Sequence, residues 1–94
     1  MTAHIVATVR VSNSVKFGLY TKAVSGLAER FRGEYLVRGK VSEVLEGNGD
    51  ADERVVILSF PDADAARAFY FSPEYQAAKG LRTDAALLEM RLLD

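Results

Sequence analysis

Apolar and polar residues alternate over residues 4–11. Ile5, Ala7, Val9 and Val11 fall on one side, and His4, Val6, Thr8 and Arg10 on the other, which is the period of a strand. After residue 15 the period changes. Phe17, Tyr20, Val24, Leu27 and Phe31 stand three or four apart, widened by Ala23 and Ala28, and predict a helix over 15–32. Ser12, Asn13 and Ser14 supply its N-terminal cap. Gly33 stands where such a helix needs a residue that tolerates the left-handed conformation.

Residues 34–46 read as a long second strand, bent or bulged at Gly39, because glycine inside a strand often marks such a site. Residues 47–52, rich in Gly, Asn and Asp, form a hairpin loop. Residues 54–60 pair back as the third strand, which Pro61 ends. Asp62 caps a helix running to about residue 71. Ser72, Pro73 and Glu74 then open a short helix that ends near Gly80, with a capping hydroxyl, proline at the first helical position and an acid at the positive end. The last strand covers 85–93. The order is βαββαβ: a ferredoxin-like α+β fold, with a four-stranded antiparallel sheet and both helices on one face. We read residues 1–94 as one such domain.

Helices cover only one face of this sheet, yet both faces carry apolar residues. Val55 and Ile57 oppose Val56, Leu58 and Phe60, while Leu36 and Val44 oppose Tyr35, Val37, Val41 and Leu45. Each Val or Leu left wet forgoes roughly 1.5–3 kcal/mol. A second copy, related by a two-fold axis and packed sheet to sheet, is the simplest cover. The expectation is a homodimer, that is, a dimeric α/β barrel; the alternative is a monomer with half-exposed strand faces.

Composition narrows the chemistry. Twelve basic and 13 acidic residues leave a net charge of −1, which lacks the basic excess of a nucleic-acid binder. With no cysteine there are no disulfides and no thiolate sites, and His4 is the only histidine, so no metal is expected; no cofactor is expected either, and any reaction would be cofactor-free. No membrane partner is expected, because no apolar run approaches the roughly 18 residues of a span; the cytoplasm is the default location. The sequence also lacks a phosphate-cradling glycine loop and any Ser-His-Asp arrangement.

Several segments carry a resemblance: Leu36-Val37-Arg38-Gly39, Glu43-Val44-Leu45-Glu46-Gly47, Phe60-Pro61, Ala65-Ala66-Arg67-Ala68-Phe69-Tyr70 and Ser72-Pro73-Glu74-Tyr75-Gln76, with Arg82 and Ala85 downstream. Together they resemble the domain-of-unknown-function family 1330, in the dimeric α/β-barrel group of ferredoxin-like folds. The resemblance implies a homodimer and no established reaction. The wider group includes cofactor-free oxygenases, haem-degrading enzymes, isomerases, cyclases and ligand-sensing modules, so fold alone does not choose among them.

Candidates for chemistry are His4, Arg38 and Tyr70; candidates for holding a ligand are Arg38, Tyr70, Tyr75 and Arg82. Arg38, mid-strand on the side of Leu36 and Lys40, offers a carboxylate or enolate two parallel donors, unless it pairs with Glu43, Glu46 or Glu89. Tyr70 and Tyr75 flank the junction of the two short helices and present hydroxyls to a cleft, or serve as core. His4 titrates near neutrality and suits a general base, or is a solvated strand end. Arg82 closes the cleft or neutralises a helix terminus. Glu43 and Glu46, three apart in a strand, point to opposite faces and do not form a carboxylate pair. The reading is a protein that binds a small anionic or aromatic molecule between sheet and helices. The alternatives are a cofactor-free monooxygenase- or isomerase-like enzyme and a non-catalytic dimerisation module.

Overall fold

A computed structural model describes residues 2–49 and 52–94. The elements are β1 (Ala3–Val11), α1 (Ser14–Ala23), α2 (Leu27–Arg30), β2 (Glu34–Lys40), β3 (Arg54–Phe60), α3 (Ala63–Tyr70), α4 (Pro73–Gly80) and β4 (Ala86–Leu93). The strands form one antiparallel sheet in the order β2-β3-β1-β4, the ferredoxin-like arrangement. Ile5, Val9, Leu58 and Phe60 meet Phe17, Tyr20, Leu27, Phe69 and Tyr75 of the helices in one core.

The helix starts follow the capping chemistry. The Asn13 side chain accepts from the Lys16 N–H at 3.0 Å, and Asp62 Oδ1 accepts from the Ala65 N–H at 2.8 Å. Ser72 Oγ accepts from the Tyr75 N–H at 3.1 Å and donates to the Phe69 carbonyl at 2.8 Å, so one buried hydroxyl joins α3 to α4 and fixes the start of the helix that carries Tyr75.

Four expectations are corrected. The helix expected over 15–32 is two helices, because Gly26 takes a left-handed φ of 77° after α1. The left-handed residue after α2 is Arg32 (φ 67°), not Gly33. Gly33 has a different job: a Cβ there would lie 2.5 Å from the Phe60 ring, so glycine lets the chain pass over a core aromatic. The bulge in β2 falls at Leu36, between Tyr35 and Val37, and not at Gly39. Finally, β2 stops at Lys40 instead of 46. β3 begins at Arg54, so after Val41 N–H donates to the Glu53 carbonyl (2.8 Å) the remaining residues lack a strand to pair with. Val44 and Leu45 lie in this irregular segment, with Leu45 88% exposed. Residues 50 and 51 of the expected hairpin loop lie outside the described residues.

Candidate functional site

The bulge decides where Arg38 points. Side chains alternate along a strand, so without an extra residue Arg38 would share the outer face with Glu34. Leu36 adds that residue. Tyr35 then pairs with Leu58, Arg38 with Val56 and Lys40 with Arg54, all on the helix-covered face. Arg38 stacks on Tyr35, its guanidinium carbon 4.3 Å from the ring centroid. Burial, and then the nearby Glu29 charge, raise the Tyr35 hydroxyl above the ordinary tyrosine pKa.

Arg38, Lys40, Arg54 and Glu29 edge a cavity of about 630 Å³ between α1 and the sheet. Its walls are apolar, with Val9, Phe17, Val24, Leu58 and Phe69 among them. Tyr20 and Tyr75 also line it, their hydroxyl oxygens 2.8 Å apart. A second cavity of about 400 Å³ lies among α3, α4 and β4, and Tyr70, Lys79 and Arg82 line it. Both volumes fall in the roughly 300–1,000 Å³ range of small-molecule sites.

The two cavities share Leu88 and Met90 as walls, and the Tyr75 hydroxyl lies between them. Arg82 Nη2 donates to Tyr75 Oη at 3.4 Å, and the Tyr75 hydroxyl donates to Met90 Sδ at 3.5 Å, which leaves the Tyr20 hydroxyl as the donor within the tyrosine pair. Arg82 also lies 5.0 Å over the Tyr20 ring. In the second cavity Lys79 Nζ donates to Tyr70 Oη at 2.7 Å.

The structure therefore divides the ligand-binding candidates. Arg38 and Tyr75 line the central cavity; Tyr70 and Arg82 line the second, with Arg82 touching Tyr75 through the partition. His4 is not brought to either. It sits on the outer face of the sheet between Ser59 and Leu93, so it does not act with Arg38 and Tyr70 in one place. Among the described residues Arg38 makes none of the ion pairs, with Glu43, Glu46 or Glu89, that were the alternative to a ligand role; it stacks on the Tyr35 ring. Tyr20, Tyr35 and Lys79 are the residues that sequence reasoning passed over. The hydroxyl of Tyr20 within an otherwise apolar stripe is the signal that marks it, since a buried tyrosine needs a partner.

Burial, and next the adjoining Tyr75, raise the pKa of Tyr20 well above 10. The folded state thus holds this proton more tightly than the unfolded chain. Its contribution to stability is complete below about pH 10 and is lost as pH rises beyond that toward the folded value. Tyr35, shifted in the same direction, adds to this loss. Melting temperature should fall from about pH 10 upward, and Tyr20→Phe should flatten the fall while lowering stability at pH 7 by about 1 kcal/mol through the lost hydroxyl contact. Thermal melts of both proteins across alkaline pH check this; equal slopes would remove Tyr20 as the cause.

Fold and cavities define a ferredoxin-like α+β protein with two ligand-sized spaces beneath its helices. The chain belongs to the family described as Domain of unknown function (DUF1330), which it matches over residues 2–94. No curated protein matches it. Among solved structures it is similar to the RPA0582 protein of unknown function from Rhodopseudomonas palustris, at TM-score 0.80 and 21% identity over 98% of this chain and 80% of that one. It is also similar to SnoaB, a cofactor-independent oxygenase from Streptomyces nogalater, at TM-score 0.69 and 16% identity over 99% and 91% of the two chains. A dimeric ferredoxin-like protein of unknown function from Jannaschia sp. CCS1 gives TM-score 0.66 and 17% identity over 97% and 98%. At these identities the likeness is one of fold. Among the described residues, no helix is long and apolar enough to cross a membrane, and no three His, Cys, Asp or Glu side chains gather where a metal would sit.

Proposed function

We propose that this protein is a homodimer that binds a small aromatic or otherwise apolar organic anion in the central cavity of each chain. The observation that carries the reading is that cavity itself. A well-packed core leaves few voids larger than a water molecule, whereas here about 630 Å³ is open under α1. Its walls suit an apolar body, the Tyr20–Tyr75 hydroxyls suit an oxygen substituent, and Arg38 and Arg54 at the edge suit an anionic end. The dimer reading is supported by the dimeric Jannaschia relative and by the apolar row Val37–Ile57–Val6 across the outer face. A cytoplasmic location goes with this reading.

The likeness to SnoaB over 99% of the chain favours a second reading, in which the bound molecule is oxidised without a cofactor. In that reading His4 takes no part, because the sheet separates it from both cavities.

The test is a fluorescence titration with 2-naphthoate, together with native mass spectrometry of untagged protein. The expected result is a saturable site on each chain of a dimer. Arg38→Ala should weaken it about tenfold, the scale of one charge-assisted hydrogen bond. The same substitution should cost under about 1 kcal/mol of stability, since Arg38 is exposed and its contact is a stack on the Tyr35 ring. Absence of saturable binding, or an Arg38→Ala protein that loses stability and not affinity, would return Arg38 to a structural role.

A further inference from the structure

We propose that the cavity among α3, α4 and β4 is a second, separate binding site, made for the carboxylate of a small organic acid. Four basic residues line this cavity and no acidic residue does. Two of the four are already paired: Arg67 with Asp64 at 3.2 Å and Arg91 with Glu89 at 3.6 Å. Lys79 and Arg82 are half-buried, and among the described residues neither has a carboxylate partner. Taking a cation partly out of water without a counter-charge is unfavourable, and an anion in the cavity removes that penalty.

The donors are set out for such an anion. Arg82 Nη2 is held by Tyr75, while Arg82 Nε is buried and has no partner at all. Buried donors are nearly always satisfied, so this N–H, out of reach of solvent, gains an acceptor only if the Arg82 side chain shifts toward an anion bound in the cavity. Tyr70 Oη accepts from Lys79 Nζ at 2.7 Å, which leaves the Tyr70 proton free to donate elsewhere. Guanidinium, ammonium and phenol thus line one cavity, and no carboxylate lines it with them. The rest of the lining, including Ile5, Phe71, Leu88 and Leu92, is apolar and matches an organic body. Inorganic phosphate would set its additional oxygens against these same side chains, so the carboxylate is the better fit.

The site shares the apolar walls Leu88 and Met90 with the central cavity but none of its charged residues, so failure of 2-naphthoate binding there leaves it standing. The experiment is a titration of uniformly ¹⁵N-labelled protein with phenylacetate, read at the Arg82 Nε–H signal and at the backbone amides of α4 and β4. The expected result is a saturable shift at Arg82 Nε. Lys79→Gln and Arg82→Gln should each weaken it about tenfold or more, as befits loss of a charged hydrogen-bond donor. Because Arg82 also holds Tyr75, Lys79→Gln is the safer variant; the Lys79 ammonium bonds the Tyr70 hydroxyl and lies over its ring. Neutral phenylacetamide and inorganic phosphate should bind far more weakly. The proposal is overturned if phenylacetate leaves Arg82 Nε unmoved, if the shifts appear around Tyr20 and Arg38 instead, if phenylacetamide or phosphate binds as well, or if Lys79→Gln changes nothing.

Discussion

Gly33→Ala should destabilise the protein by about 3 kcal/mol, at the upper end of what an added methyl does in a packed core. The new Cβ would stand 2.5, 2.8 and 3.0 Å from three carbons of the Phe60 ring. That ring cannot swing aside. Phe60 is 1% exposed and lies against Phe69, with ring centroids 5.5 Å apart. Relief therefore requires the α2–β2 connection to lift, which disturbs the Gly33 N–H bond to the Ala28 carbonyl (2.8 Å) and the left-handed Arg32 beside it. For a domain of this size the loss lowers the melting temperature by roughly 10–20 °C. Gly18→Ala is the matched control. Gly18 lies inside α1, and nothing stands within 4 Å of the place its added methyl would take, so the same chemical change should stabilise by about 0.5–1 kcal/mol. Circular-dichroism melts of the two variants decide it: a Gly33→Ala protein that melts with the parent would mean that Phe60 yields freely.

This glycine shows where sequence reading succeeds and where it stops. Capping residues act locally, so Asn13, Asp62 and Ser72 announce the starts of α1, α3 and α4 without reference to anything distant. Strand faces are equally legible in β1, where nothing interrupts the alternation. Gly33 looks the same in sequence whether it serves a left-handed turn or a close approach, and only the position of Phe60, 27 residues later, separates the two. The bulge is a second such case. It sits at Leu36, a residue without any local mark, because the pairing with β3 and not the chemistry of β2 decides which residue is extra. That one displaced residue moves Arg38 to the other face, and with it the edge of the central cavity. The tyrosines were legible as aromatics and Arg82 as a cleft residue. Their division between two cavities was not, because it depends on how α3 and α4 settle on β1 and β4.

Ile57→Asp should turn the proposed dimer into a folded monomer. Ile57 lies mid-strand on the outer face, with Val37 beside it on β2 and Val6 on β1, while Arg91 extends the row on β4. In a dimer formed through this face the row is covered, so one substitution sets a carboxylate from each copy in a desolvated contact. A buried unpaired charge costs several kcal/mol, and like charges facing each other add to it. Association should weaken at least about a hundredfold, enough to leave monomers at micromolar concentration. The monomer should still fold, since the helix-covered core of Ile5, Leu58, Phe60 and Tyr75 is on the opposite face; the local cost is about 1 kcal/mol of strand preference. Its melting temperature should then lose the dependence on protein concentration that a dimer shows. Sedimentation of Ile57→Asp beside Leu87→Asp gives a graded comparison, because Leu87 is 75% exposed toward one end of the edge strand β4 and should disturb pairing less. If Ile57→Asp sediments as a dimer, the chains do not meet through this face, and the apolar row needs another partner.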